Sequence, residues 1–323
     1  MPGKLSEKDS TALYFVRVVA ILASVAAHVS IIDTSTPMIG FFTRMWDMIS
    51  CISVPGFLIV GGILYTRTAG DSISFWKRKT KSIILPWLFC GLLTYGYRSL
   101  YEQGSLLGLF FWILGNGSWL YYVTMYLILL AVFKPIHKSV PLLWGCVAIT
   151  AVQFLLKVQG AGIPSPLNNA YLNPLHWMGF FALGILVRRH GLQFSKVFFA
   201  LCAVVLVTMG TIVYRKWIYE YFHVLNAAFT ISAFFVLFAI GRWFAGTKLQ
   251  SRIREIGTYT YCIYLLHMPI VLPILRRIPG ITFKAIFAPV IGMIIMVLLI
   301  RLGIWITKKL PFGDKLRLLV GLR

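Results

Sequence analysis

Acids are scarce in this chain. It holds nine Asp and Glu against 31 Lys and Arg, and charged residues make up only 12% of its 323 positions, where a soluble domain carries about 25%. A transporter driven by intramembrane carboxylates would have little to work with. The five cysteines, Cys51, Cys90, Cys146, Cys202 and Cys262, form no CxxC pair and no zinc spacing, and read as small buried hydrophobes. His137, His176, His190 and His223 fall at expected helix ends without metal spacing, so no metal is expected. There is no Gly-x-Ser-x-Gly nucleophile elbow and no Walker A loop, which argues against a hydrolase of that kind and against an ATP-driven pump. No internal repeat, low-complexity tract or cleavable signal peptide is visible; the first apolar run, behind the polar head MPGKLSEKDS, is too long for a signal core.

Apolar residues are what the chain has in quantity: 59% of the sequence, with a mean hydropathy of +0.82. A soluble fold of this size could not hide that surface, so the chain is expected to be an all-α, polytopic membrane protein. About 20 apolar residues span a bilayer. By that measure spans are expected at 11–32, 47–66, 82–100, 117–136, 140–157, 173–188, 195–214, 223–245, 256–275 and 283–306. The shorter LLGLFFWILG, 106–115, is expected to be interfacial or re-entrant. The organisation is a head at 1–10, a transmembrane domain at 11–306 and a basic tail at 307–323.

The net charge of +22 would suggest nucleic acid in a soluble protein. Here it fits cationic cytoplasmic loops and contact with membrane lipid, and no nucleic acid partner is expected. With the N-terminus inside, most of the 31 Lys and Arg fall on cytoplasmic segments. The opposite loops hold Arg44, Arg98, Lys157, Arg215, Lys216, Arg276, Arg277 and Lys284, and Arg17 and Arg301 lie within spans. About ten transmembrane helices with both termini in the cytoplasm follow from this alternation.

The first span, YFVRVVAILASVAAHVS, carries Arg17 and His28. Eleven residues at about 100° each come to roughly 20° past three full turns, so both lie on one face with Ile21 and Ser24, roughly 16 Å apart along the axis. Singly, the arginine could snorkel to the headgroups and the histidine could bond a neighbouring helix. Together on one face, where polar groups are costly, they suit an extended ligand that is anionic at one end and reactive at the other. Arginine suits phosphate, and a neutral imidazole suits accepting a proton.

Here the chain resembles the acyltransferase-3 family of integral membrane O-acyltransferases, which carries Arg-x10-His in its first helix. Further motifs follow in the family's order: SVPGFLIVGGILY at 53–65, FWKRKTKSIILPW at 75–87, GSWLYYVTMYL at 117–127, FFALGILVRR at 180–189 and IGTYTYCIYLLHMPIV at 256–271. The chain departs from the pattern at Gly61, where serine is usual, at Ser82, where a second arginine is common, and at Thr260, where the family has serine. Within the family it looks like the acetylases of bacterial surface polysaccharide and O-antigen, with no esterase-like domain attached.

The resemblance implies an O-acetyltransferase of the bacterial inner membrane, using acetyl-CoA as acyl donor and a surface glycan or lipid-linked sugar as acceptor. His28 and Arg17 are the implied catalytic residues, with His28 a general base on a sugar hydroxyl. Arg17, Arg78, Lys79 and Lys81 are the implied contacts to the CoA phosphates, although the KRKTK run would also serve topology alone. Asp47, Trp119, Tyr264 and His267 are candidates for binding the acceptor. His267, in a row with Tyr261 and Tyr264, could equally satisfy an interhelical hydrogen bond, and Trp119 could belong to an interfacial belt. Asp33 and Asp47 flank the outer mouth near His28. The other reading is a polysaccharide or lipid-linked-sugar flippase built from similar helices. No oligomeric state is read from the sequence.

Overall fold

The computed structural model describes residues 5–29, 35–68, 72–218 and 220–322. Lys4 and Asp33, and the outermost parts of the expected head and tail, lie outside them. Every regular element among the described residues is helical. The α-helices are α1 (Glu7–Val29), α2 (Pro37–Ser50), α3 (Ser53–Thr68), α4 (Ser72–Lys79), α5 (Leu85–Ser99), α6 (Leu106–Leu114), α7 (Tyr121–Ile136), α8 (Val140–Val158), α9 (Met178–His190), α10 (Lys196–Lys216), α11 (Val224–Trp243), α12 (Leu249–Arg277), α13 (Ile281–Thr307) and α14 (Gly313–Leu319).

Local chemistry sets many of the helix starts. Ser6 accepts from the Asp9 amide and donates to its carboxylate, a reciprocal cap that ties down an early amide of α1. Thr36 with Pro37, and Ser139 with Pro141, open α2 and α8 in the same way, because proline at the first turn loses no intrahelical bond. Ser105 and Ser195 cap α6 and α10. Gly115 closes α6 at φ +93°, a left-handed position that glycine tolerates without cost.

Among the described residues, seven segments are long and apolar enough to cross a membrane: α1, the run Pro37–Tyr65 through α2 and α3, α8, α10, α11, α12 and α13. Three of the expected spans are shorter than anticipated. The run at 82–100 is divided between a π-helical turn, Thr80–Ile84, and α5. The run at 117–136 yields α7, 16 residues long. At 173–188 the chain first makes a short 3-10 turn, Pro174–His176, and only then the 13 residues of α9, which rise about 20 Å against a hydrocarbon core of about 30 Å. The Asn169 and Asn173 side chains accept from the amides of Tyr171 and Leu175, and such local bonds compete with helix. Val197, Leu201, Val204 and Val207 on α10, and Leu298, Leu302 and Trp305 on α13, stand outward and exposed. Apolar faces of that extent fit lipid and not water, and the protein is integral to a membrane.

The first helix is the hub: α1 packs on α2, α3, α11, α12 and α13. Its Ile21 is fully buried and its Ser24 nearly so, so the face shared by Arg17 and His28 turns into the bundle. Asp9 is paired to Arg242 at 2.5 Å, fixing the start of α1 to the end of α11. The two helices are therefore antiparallel, and His28 lies at the end of the bundle where α11 begins. Two glycines set a very close contact between α3 and α9, where a Cβ on Gly62 would sit 2.1 Å from the Phe181 carbonyl oxygen and one on Gly184 2.1 Å from that of Ile59. Only glycine lets the two backbones approach so closely.

Candidate active site

A cavity of about 480 Å³ lies between α1, α3, α7, α12 and the turn joining α4 to α5. Arg17 and Tyr14 reach it from α1, Phe57, Val60, Gly61 and Leu64 from α3, and Tyr122, Val123 and Tyr126 from α7. Thr258, Thr260, Tyr261 and Tyr264 line it from α12. Lys79, Ser82 and Ile83 complete one wall, and the π-helical turn is what presents the last two. Extra-residue turns of this kind re-aim side chains and recur at functional sites. Gly321, beyond α14, also touches the cavity.

The cavity carries positive charge in an aromatic setting. Arg17 Nη2 donates to Thr260 Oγ1 at 2.7 Å, and that hydroxyl in turn donates a hydrogen bond to the Gly257 carbonyl at 3.0 Å. The guanidinium carbon stands 5.7 Å from the Tyr14 ring centre. Lys79 Nζ lies 5.8 Å from the Tyr126 ring and 5.5 Å from that of Phe75. Thr260 keeps the hydroxyl that serine would supply. Gly61 also has a reason in this chain: a Cβ there would fall 2.9 Å from Tyr126 Cε2 and 3.3 Å from Phe181. The space a serine side chain would need is filled by the tyrosine that shares the cavity with Lys79.

Tyr264 connects this cavity to the histidines. It lines the cavity, its hydroxyl donates to the Trp119 carbonyl, and its ring is 6.2 Å from that of His267, one turn further along α12. The His267 and His28 rings are 5.2 Å apart, and Trp119 stands edge-on to His267 at 6.4 Å. His267 is fully buried. Its Nδ1 meets the carbonyls of Tyr264 at 2.8 Å and Ile263 at 3.1 Å. Only a protonated nitrogen can bond a carbonyl, so Nδ1 carries the hydrogen and Nε2 presents a lone pair.

That Nε2 has no hydrogen-bond partner among the described residues, and neither do the buried indole nitrogens of Trp119 and Trp87. A buried polar atom left unpaired costs about 1–3 kcal/mol. Two of these atoms, His267 Nε2 and the Trp119 indole nitrogen, sit on rings 6.4 Å apart and can each bond a polar ligand. Trp87, Trp119 and Tyr264 belong to one apolar cluster with Ile21 and Val25 of α1, so His267 sits in a dry, aromatic environment, with His28 beside it partly exposed. The Arg17 end is the charged one.

The expected site residues are thus sorted in space. Arg17, Lys79 and Tyr264 line the cavity, and His28, His267 and Trp119 group at its far side by the ring contacts above. Arg78 and Lys81 are exposed and are not among the lining residues. Asp47 is placed elsewhere: its Oδ2 accepts from Trp217 Nε1 at 3.0 Å, and Arg44 covers the Trp217 ring at 5.0 Å. Trp217 borders a second, open cavity of about 400 Å³ with Lys157, Glu220 and His223, at the end of the bundle where α11 begins.

Sequence reasoning missed Tyr14, Tyr122 and Tyr126 as cavity residues. The tyrosines at 122 and 126 were visible as an i, i+4 pair, but an aromatic pair at helical spacing is ordinarily core. Gly321 gave no signal beyond being a glycine.

The family model of an acyltransferase domain, Acyl_transf_3, matches residues 11–308 of the chain. No curated protein and no solved structure matches it.

Proposed function

As a member of the acyltransferase-3 family, this chain is a membrane acyltransferase, and we propose that it moves an acetyl or other short acyl group from cytoplasmic acyl-CoA to a hydroxyl of a surface glycan or lipid-linked sugar. The observation that carries the reading is the connection of a cationic cavity, holding Arg17 and Lys79, through Tyr264 to the His28–His267 pair. Acyl-CoA has that same division: phosphates at one end and a thioester at the end of an extended arm. Arg17 and His28 are roughly 16 Å apart along α1, close to the reach of a phosphopantetheine arm.

In this reading the CoA phosphates lie against Arg17 and Lys79, with Arg78 and Lys81 attracting them from outside the cavity. Arginine's planar fork grips phosphate through two parallel bonds. His28 removes the proton from the sugar hydroxyl as its oxygen attacks the thioester carbonyl. The new oxygen–acyl bond forms, the acyl–sulfur bond breaks, and the departing thiolate takes the proton back from the imidazolium. His267 Nε2, a fixed acceptor, holds a neighbouring hydroxyl of the acceptor sugar, and Trp119 offers its indole N–H. Bringing donor and acceptor together from opposite faces supplies orientation that a free encounter lacks. Asp47 and Trp217 stand on the side from which the acceptor arrives.

The reading includes a bacterial inner-membrane location, ten crossings with both termini inside, and a domain of 11–306 between a short head and a basic tail. Loop charge supports that topology, and the shorter helices α5, α7 and α9 then complete crossings with the turns that flank them. Reporter fusions at residue 1 and after residue 323 are both expected to read as cytoplasmic, and readings from opposite sides would refute the count. The activity is tested by the mass of the surface glycan with and without the gene. A gain of acetyl on the repeat is expected. An unchanged glycan mass with altered export would overturn the reading.

A further inference from the structure

The family match ends at residue 308, yet the donor cavity does not. After α13 the chain reverses so tightly that a Cβ on Gly313 would fall 1.7 Å from the Thr307 carbonyl oxygen. The helix α14 then folds back against α13 and α5, with the Leu319 carbonyl 4.0 Å from Cys90 Sγ. It stops at Gly321. The Leu322 amide donates to the Arg317 carbonyl at 2.9 Å and the Gly321 amide to that of Leu318 at 3.1 Å, with Gly321 at φ +78°. That bond pair around a left-handed glycine is the Schellman stop. Its effect is to turn Leu322 inward, where it is 7% exposed in the same apolar cluster as Trp119 and Tyr264. The Gly321 backbone is left facing the cavity.

We infer that the segment Gly313–Leu322, outside the acyltransferase domain proper, forms a wall of the acyl-CoA cavity, and that Gly321 is a donor-positioning residue. The inference rests on the acyl-CoA reading above. Two constraints meet at Gly321. The left-handed backbone disfavours any side chain, and a Cβ would lie 2.6 Å from Tyr261 Cδ1. Tyr261 is itself a cavity residue and is held by its hydroxyl donating to the Ile83 carbonyl at 2.8 Å, so its ring is not free to move aside. A side chain at 321 therefore displaces either the segment or Tyr261, and both are walls of the cavity. Because Leu322 anchors the segment, its truncation loosens the wall without adding strain.

The test uses the full chain, purified in lipid nanodiscs, with radiolabelled acetyl-CoA as the probe. Gly321→Ala is expected to weaken acetyl-CoA binding and raise its KM by about tenfold, with kcat within about twofold and the acceptor KM unchanged. Leu322→Ala should move the same constants in the same direction by less. Gly303→Ala is the control, since nothing stands near that glycine and no effect is expected. If the wild-type protein binds acetyl-CoA and both variants bind it equally well, the wall assignment is overturned while the donor reading stands. A fall in kcat that only tracks a loss of folded protein, at unchanged KM, overturns it too by making the role one of stability. If the wild-type protein fails to bind acetyl-CoA, the donor reading falls first and the inference with it.

Discussion

The two ends of one face of α1 treat polar groups in opposite ways. At Arg17 the guanidinium has a hydroxyl partner at 2.7 Å, an aromatic neighbour and an open cavity with a second cation. About three turns on, His28 meets the ring of His267, and the buried Nε2 of His267 and indole nitrogen of Trp119 have no partner among the described residues. The first arrangement holds charge, and the second offers unpaired polar atoms that a ligand can bond. A donor that brings its phosphates to the first end and its thioester to the second turns this contrast into a division between binding and chemistry.

That division is open to attack by substitution. The largest effect is expected at the histidine end. His28→Ala should lower kcat by about 10²–10⁴-fold, the usual worth of a general base, with KM for acetyl-CoA nearly unchanged in steady-state assays. A near wild-type kcat would remove His28 from the chemistry. Next comes a position in neither end. Gly62→Ala should cost about 1–3 kcal/mol of stability, the scale of overpacking, because α3 and α9 must move apart. It should be read as a lower melting temperature in detergent, and a wild-type melting curve would mean that the contact yields freely.

At the charged end, Arg17→Lys keeps the charge but loses the fork. It should raise KM for acetyl-CoA by about 5–30-fold, equivalent to ~1–2 kcal/mol, with a smaller change for the acceptor. A lysine that anchors the helix equally well would leave the acetyl-CoA titration unchanged, and that result would reduce Arg17 to an anchor. The smallest effect is expected from Gly61→Ser, which installs the residue more usual in the family against Tyr126 and Phe181. Forcing either ring off its rotamer costs about 0.5–1.5 kcal/mol, so donor KM should rise by a few-fold. Adding Tyr126→Ala should reverse the rise, and failure to do so would place the conflict elsewhere.

Much of this architecture was legible in one dimension. Apolar runs mark the long helices because a bilayer demands about 20 such residues, and the shared face of Arg17 and His28 follows from helical angle alone. What stayed hidden has two physical sources. Local polar chemistry at Asn173 diverts the chain into a short turn at the start of a run that otherwise reads as a span. Contacts between distant helices carry no local signature, so neither the proximity of His28 to His267 nor that of Lys79 to Tyr126 could be read off. Gly61 is instructive on this point, since it departs from the family pattern and only the neighbouring Tyr126 explains why.

The most direct test of the division is equilibrium binding of radiolabelled acetyl-CoA to the purified protein, comparing His28→Ala with Arg17→Ala. His28→Ala should bind the donor as the wild type does while transferring almost nothing, and Arg17→Ala should bind it far more weakly. Equal affinities in the two variants, or loss of binding in His28→Ala with retention in Arg17→Ala, would contradict the assignment of donor binding to one end of α1 and chemistry to the other.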